Sequence, residues 1–317
     1  MRYLITGGCG FIGSHFVRLL LTEDARCEVA NVDLLTYAGR EDNLDDMIAV
    51  HAERYCLIKE DIADAAAMRD VFHGGKFDAV INFAAESHVD RSISDPERFV
   101  QTNVMGTSNL VGLAREFNVP RFVQVSTDEV YGSLKTGDIP FTESTSLNPS
   151  SPYSASKAGA DLLVLAAHRT FAQDVVITRC SNNYGPCQFP EKLIPLMISR
   201  ALTDDLLPVY GDGGNVRDWI HAGDHCRGIL AALENGKSGE VYNFGADCER
   251  TNLEIVREIL KILNKPESLI SFVKDRPGHD WRYAINSAKA RNELDWKPKR
   301  DFESGLRDTI EWYRSKA

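Results

Sequence analysis

Basic charge is in short supply. Thirty-six Lys and Arg stand against 46 Asp and Glu, a formal net charge of −10, and the positive field that nucleic-acid binding needs is missing. No apolar run approaches the length of a membrane span. The seven cysteines, at 9, 27, 56, 180, 187, 226 and 248, lack the short paired spacings and partner histidines of a metal site. They read as scattered free thiols in a reducing compartment, which here means the cytoplasm. There are no internal repeats and no low-complexity tract. The opening MRYLITGG reads as a strand entering a turn rather than as a leader.

What is present is a regular alternation. RYLIT, EVANVD, RYCLIKED, DAVINFAA, RFVQVST and VVITRC are short, nearly continuous apolar runs, and helix-like segments, notably 97–116 and 153–170, separate them. That pattern describes an α/β protein with a Rossmann-type, doubly wound parallel sheet. It lasts to about Cys180, so residues 1–180 are expected to form mainly the dinucleotide-binding domain. Residues 181–317 are expected to form mainly a smaller C-terminal α/β lobe for the substrate, with some chain crossing back. In that half VYNFGA reads as a strand, Thr251 and Glu254 make a capping box for the next helix, and DFESGLRDTIEWYRSK closes the chain as an amphipathic helix.

The first strand runs into TGGCGFIG. Gly8, Gly10 and Gly13 have G-x-G-x-x-G spacing, and Gly7, Gly10 and Gly13 form a second series; Phe11 and Ile12 lie between the last two glycines. A Cβ at such positions blocks both a tight turn and the approach of backbone to a pyrophosphate. A lone glycine series is weak evidence, but Asp33 follows Gly13 by twenty residues, at the end of the second strand. A carboxylate there accepts from both ribose hydroxyls and repels a 2′-phosphate, which favours NAD over NADP. The alternative for Asp33 is a plain turn or capping acid. Asp61, after the third strand, is a candidate for the adenine through its side chain, and Ile62 through its backbone.

SPYSASK places Tyr153 and Lys157 four residues apart on a helix, hence on one face. An ammonium beside a phenol lowers its pKa and makes it a usable base, although the same spacing also occurs on solvated helices. In VSTDEVYG, Asp128 and Glu129 stand side by side where an apolar strand ends. Adjacent strand residues face opposite sides, so both reach one ligand only if the strand has already broken into loop. They are either solvent-facing loop acids or an acid and a base in opposite proton states.

Together with NFAAESHVDRSI, NNYGP, FPEKLIP, VYGDGGNVRDWI and RPGHDWRYAIN, these motifs resemble the extended short-chain dehydrogenase/reductases. Within that group the chain resembles the dTDP-glucose 4,6-dehydratase family almost end to end. STDEVYG discriminates most, because sugar epimerases of the group carry small or hydroxyl residues where Asp128 and Glu129 stand. The resemblance implies that Tyr153 takes the C4 hydroxyl proton while hydride passes to NAD, with Thr127 holding that hydroxyl. It implies that Glu129 removes the C5 proton and Asp128 protonates the leaving C6 hydroxyl. It further implies contacts to the substrate, dTDP-glucose, from Ser87, His88, Asn182, Lys192 and Leu193, and diphosphate clamps at Arg217 and Arg276. Relatives form homodimers through a four-helix bundle built from helices 97–116 and 153–170, where Val104, Leu110, Leu113, Leu162, Leu163 and Leu165 are the spare apolar residues. Cys187, Gln188 and Asn286 depart from the family pattern and bear on nucleoside preference. The rival readings are a sugar-nucleotide 4-epimerase or decarboxylase, a 4,6-dehydratase with a different nucleoside, and an NAD-binding protein without turnover.

Overall fold

The computed structural model describes residues 1–275 and 278–316. Seven strands build the main sheet: β1 (Arg2–Thr6), β2 (Glu28–Val32), β3 (Tyr55–Ile58), β4 (Ala79–Asn82), β5 (Arg121–Thr127), β6 (Val175–Cys180) and, from much later in the chain, β10 (Val241–Phe244). Their order across the sheet is β10-β6-β5-β4-β1-β2-β3, and every pairing is parallel. The order reverses between β1 and β4. In such folds the crevice outside the C-terminal strand ends at that point is where ligands bind.

Both faces of the sheet are covered, which is why its strands are apolar on both sides. One face carries Leu4, Val80, Phe122 and Ile177 into a core with Met68, Leu110, Leu113 and Val164. The other packs Tyr3, Ile5, Ile81 and Val123 against Phe16 and Leu20 of the helix Phe11–Glu23 and Ile229 of the helix Ala222–Asn235. Helix Ala222–Asn235 and β10 thus return from the second half of the chain to the large sheet.

The remaining strands are β7 (Asn182–Tyr184), β8 (Leu207–Tyr210), β9 (Val216–His221), β11 (Glu249–Thr251) and β12 (Ile270–Val273). They form a three-stranded sheet, β11-β9-β7, and a two-stranded one, β12-β8. Helices Leu193–Leu202, Asn252–Leu263 and Phe302–Lys316 close a second core over them through Ile198, Ile259 and Ile310. The Thr251–Glu254 capping box is formed.

Part of the helical layer differs from its expected form. The segment expected as one helix over 97–116 contains a π-helical stretch, Val100–Gly106, between the α-helical Pro96–Phe99 and Thr107–Glu116. Leu110 and Leu113, expected as spare apolar residues, are 0% and 4% exposed and belong to the core; Leu165 packs against that core and Val104 is half-buried. Leu162 and Leu163 do face outward, joined by Val100, Met105 and Phe171. No helix among the described residues is long and apolar enough to cross a membrane.

Candidate active site

A cavity of ≈ 840 Å³ runs along the C-terminal ends of the sheet strands. Of the expected residues, Gly7, Gly10, Phe11, Ile12, Gly13, Asp33, Asp61, Ile62, Ser87, Thr127, Asp128, Glu129, Tyr153, Lys157, Asn182 and Lys192 all line it. Parallel strands put their following loops on one edge, so residues far apart in the chain converge there.

The structure decides between the two glycine series. Gly7 (φ +72°) lines the cavity and lies so close to the chain after β4 that a Cβ would stand 2.6 Å from Ala84 N. A Cβ on Gly13 would stand 2.2 Å from Gly7 O. Gly8 instead faces back into the fold, where a Cβ would meet Asn31 Oδ1 at 2.3 Å and its N–H donates to that oxygen. Gly10 caps the helix Phe11–Glu23 without any side-chain acceptor. The first-turn amides are therefore available to an anion at the cavity wall. Asp33 is buried, accepts from the N–H groups of Cys9 (2.9 Å) and Leu35 (2.8 Å), and is pushed up in pKa by that burial. It is thus both a turn acid, as the alternative had it, and a wall residue. Asp61 makes an Asx turn to Ala63 N at 2.8 Å. Ile62 packs into the space that the missing side chain of Gly106 leaves, at 2.6 Å from where a Cβ would be. A cradle that a Cβ would fill, a helix N-terminus and an acid on the second strand fit a dinucleotide with a free 2′-hydroxyl.

At the other end β5 stops at Thr127, and Asp128–Tyr131 wind into a 3₁₀ turn. Thr127 caps that turn, its Oγ1 accepting from Glu129 N at 3.2 Å. The strand therefore does break where two adjacent acids need it to, and both face one cavity. Asp128 is 1% exposed. Burial first, then Glu129, then Asp218 raise its pKa well above the ordinary carboxylate range, while Arg217 and the Thr127 hydrogen bond oppose the rise. This carboxyl prefers to be a neutral acid.

Tyr153 and Lys157 sit in the first turns of the helix Pro152–Phe171, which Ser151 starts with a capping box to Ser154. Burial, then Glu129, hold the Tyr153 phenol well above its ordinary value, with Thr127 pulling the other way. The expectation of a phenol lowered by Lys157 is not met here: desolvation and then Glu129 raise it. The Lys157 ammonium donates to Val125 O at 2.7 Å, and burial lowers its own pKa, against Asp161 and Cys180.

The π-helical stretch brings Asn103 inward. Its side chain accepts from Glu86 N (2.9 Å) and donates to Glu86 O (3.0 Å) and to Ser156 Oγ (2.8 Å). It ties the loop after β4 to the helix bearing Tyr153.

Other expected contacts stand back from the wall. His88 caps Val89–Ser94 and lies 3.6 Å from Glu191. Leu193 opens the helix Leu193–Leu202 and packs against the second core. Arg217, 5% exposed, donates to the carbonyls of Val216 and Asp280 at 2.7 and 2.9 Å and lies over the Tyr283 ring at 4.4 Å. Arg276 lies outside the described residues. Lys192 lines the cavity and donates to Ser87 O at 3.0 Å. Gln188 lines it too, donating to Asn183 O at 3.0 Å, while Cys187 takes a left-handed φ of 67° beside it. Asn286 closes an Asx turn to Ala288 N, away from the cavity wall. Sequence reasoning passed over Tyr37, Glu86, Ser126, Cys180 and Phe189, which also line the cavity. Tyr37 stands in DLLTYAGREDNL, but no local spacing says that its ring meets Phe189, 5.5 Å away.

The family model for GDP-mannose 4,6 dehydratase matches residues 4–309. The dTDP-glucose 4,6-dehydratase of Actinoplanes sp. is 48% identical over 99% of this chain and 98% of its own. This chain belongs to the 4,6-dehydratase family. Among family members, the Escherichia coli dTDP-glucose 4,6-dehydratase 1 is 47% identical over 99% of this chain and 93% of its own. The dTDP-glucose 4,6-dehydratase DesIV of Streptomyces venezuelae, solved with NAD bound, superposes with a TM-score of 0.94 at 49% identity, covering 99% of this chain and 97% of that one. For a 4,6-dehydratase, a paired acid and base beside a Tyr–Lys couple is the arrangement that water loss next to an oxidised carbon requires.

Proposed function

We propose that this protein is an NAD-dependent lyase that dehydrates dTDP-glucose to dTDP-4-keto-6-deoxyglucose. The observation that carries the reading is the convergence of Asp128, Glu129, Tyr153 and Lys157 on one cavity whose opposite end is a dinucleotide cradle. When bound, NAD would supply the acceptor and donor for the hydride that leaves sugar C4 and returns to C6. Gly7, Gly10 and the first-turn amides of Phe11, Ile12 and Gly13 hold its pyrophosphate, Asp33 its ribose hydroxyls, and Asp61 and Ile62 its adenine.

Tyr153, once ionised, takes the proton from the C4 hydroxyl, with Lys157 one turn on in the same helix, and Thr127 orients that hydroxyl. The resulting 4-keto group acidifies C5–H, and Glu129 removes that proton. Asp128 gives its proton to the C6 hydroxyl, which leaves as water from a site where the acid is almost closed to solvent. Glu129 then returns its proton to C5. Ser87, Asn182 and Lys192 grip the sugar diphosphate at the wall. Arg217 joins them by turning away from the carbonyls of Val216 and Asp280, and Arg276 completes the clamp.

The division into a dinucleotide domain over residues 1–180 and a substrate lobe over 181–317, with β10 crossing back, is part of this reading. So is a homodimer in which the outward apolar residues Val100, Met105, Leu162, Leu163 and Phe171 of two copies meet as a four-helix bundle. The protein acts in the cytoplasm.

The test is incubation of the purified protein with dTDP-glucose and, separately, with UDP-, CDP- and GDP-sugars. The expected result is loss of one water from dTDP-glucose, read by mass spectrometry, with no net NADH. Inversion at C4 at constant mass would make the protein an epimerase.

A further inference from the structure

The proposed reaction returns its hydride within each turnover, so the cofactor has no need to leave between turnovers. Its departure while reduced would strand an oxidised sugar. A barrier to cofactor exchange therefore serves this chemistry, whatever the cofactor's affinity.

The cavity wall is of two kinds. Val32 and Val125 lie in strands of the main sheet, and Gly7 and Phe83 directly follow two others. The parallel ladders fix them. Two further parts of the wall are loop: the segment after β2 around Tyr37, and the segment after β7 around Phe189. Among the described residues, no backbone hydrogen bond joins these two segments.

Side chains join them instead. The Tyr37 and Phe189 rings meet edge-on with centroids 5.5 Å apart. The Arg91 guanidinium lies over the Tyr37 ring, 3.8 Å from its centroid. Arg91 also donates to Glu191 at 2.9 Å. Tyr37 is thus packed against Phe189 and against an arginine that the segment of Phe189 itself anchors through Glu191. Arg91 belongs to neither loop. It stands on the short helix Val89–Ser94, outside the cavity wall. Aromatic and cation–π contacts are weak singly, so a set of this size holds two loops together and still opens.

We propose that Tyr37, Phe189, Arg91 and Glu191 form a clasp between the two movable walls of the cavity, and that NAD enters and leaves only when it parts. The clasp rests on the reading of the glycine cradle as an NAD site. No bond of the clasp involves the cofactor, so loosening it weakens the closed form of loaded and unloaded protein alike. It sets the rate of passage in both directions and leaves affinity nearly unchanged.

The test measures NAD exchange in the whole protein. Protein loaded with radiolabelled NAD is mixed with excess unlabelled NAD, and the label still bound is followed by rapid filtration; equilibrium dialysis gives Kd. Tyr37→Ala, Phe189→Ala and Arg91→Met are each expected to speed exit about tenfold with Kd nearly unchanged. Tyr37→Phe keeps the ring and is expected to exchange like the wild type. The Arg91 side chain is 45% exposed, so Arg91→Met tests the clasp even where an aromatic variant does not fold. Exit at the wild-type rate in any folded variant of the three, or fast exit from Tyr37→Phe, would overturn the clasp. So would exit that speeds up in step with a rise in Kd, the mark of a direct contact with NAD. A wild type that takes up no label would instead sink the cofactor reading itself, and the clasp with it.

Discussion

Arg179 on β6 and Asp161 on the helix bearing Tyr153 form an ion pair at 2.9 Å with side chains 2% and 0% exposed. Arg179 also donates to the Tyr131 hydroxyl at 2.9 Å and lies over that ring, 4.8 Å from its centroid. Tyr131 closes the 3₁₀ turn that begins with Asp128, and its hydroxyl donates to Asn243 Oδ1 on β10. Asp161 lies one helical turn past Lys157. One buried guanidinium therefore ties the acid turn to the helix that carries the Tyr–Lys couple.

Removing one member leaves a buried charge without its counter-ion, which costs about 3–5 kcal/mol. Arg179→Met is expected to lose stability of that order in urea unfolding, and the double variant Arg179→Met with Asp161→Leu to recover much of it. Equal losses in the single and double variants would show that the ion pair is not what the fold depends on.

Asp128→Asn and Glu129→Gln keep shape and remove proton transfer. Each is expected to lower dehydration by about 10²–10⁴-fold while the oxidation at C4 still runs, so NADH absorbance should accumulate where the wild type shows none. If either variant retained near-normal water loss, the assignment of the acid and base would fail.

Three histidines have their pKa lowered by desolvation. Burial lowers His15 to about 4, and His221 and His225 to about 3. A histidine whose folded value lies below its unfolded value binds its proton more readily when unfolded. Its contribution is whole above about pH 6.5 and is lost as the pH falls toward the folded value, at ~1.4 kcal/mol per pH unit for each group. Asp128 and Asp218, the latter raised to about 6, act in the opposite sense, because their folded forms hold protons better. His225, which meets Asn183 Oδ1 at 3.0 Å, isolates the effect. Replacing it with Gln should flatten the decline in unfolding free energy between pH 6 and 4 by about one proton's worth of slope. An unchanged slope would mean that His225 is already protonated in the native protein.

Leu162 and Leu163 are 55% and 37% exposed, with Met105 and Val100 nearby in the helical layer at 53% and 50%. Burying such a face against a second copy is favourable at about 25 cal/mol per Å² of apolar surface. Leu162→Glu with Leu163→Glu should shift sedimentation from dimer to monomer with the fold intact. A wild type that sediments as a monomer would remove the four-helix interface from the proposed assembly.

Much of the site was legible because its logic is local. A strand, three glycines and an acid twenty residues on need only chain geometry to become a dinucleotide cradle. Tyr153 and Lys157 share a face because a helix has 3.6 residues per turn. The change from Val125 to Ser126, Thr127 and two acids marks where a buried strand must stop, and the 3₁₀ turn begins at Asp128. Other features depend on partners distant in the chain, and no periodicity reports them. Whether Gly7 or Gly8 lines the cavity depends on Ala84 and Asn31, against which the two glycines pack. Leu110 and Leu113 read as spare apolar residues until the packing of their helix turns them into the core. Arg217 reads as an anion clamp, but no spacing reports that its guanidinium donates to the carbonyls of Val216 and Asp280. The sequence by itself determined the elements and the residue types that meet at the cavity: the glycines, the two adjacent acids, and Tyr153 with Lys157. Only the tertiary structure decided the proton preferences of Asp128 and Tyr153, because burial exists only once distant segments have met.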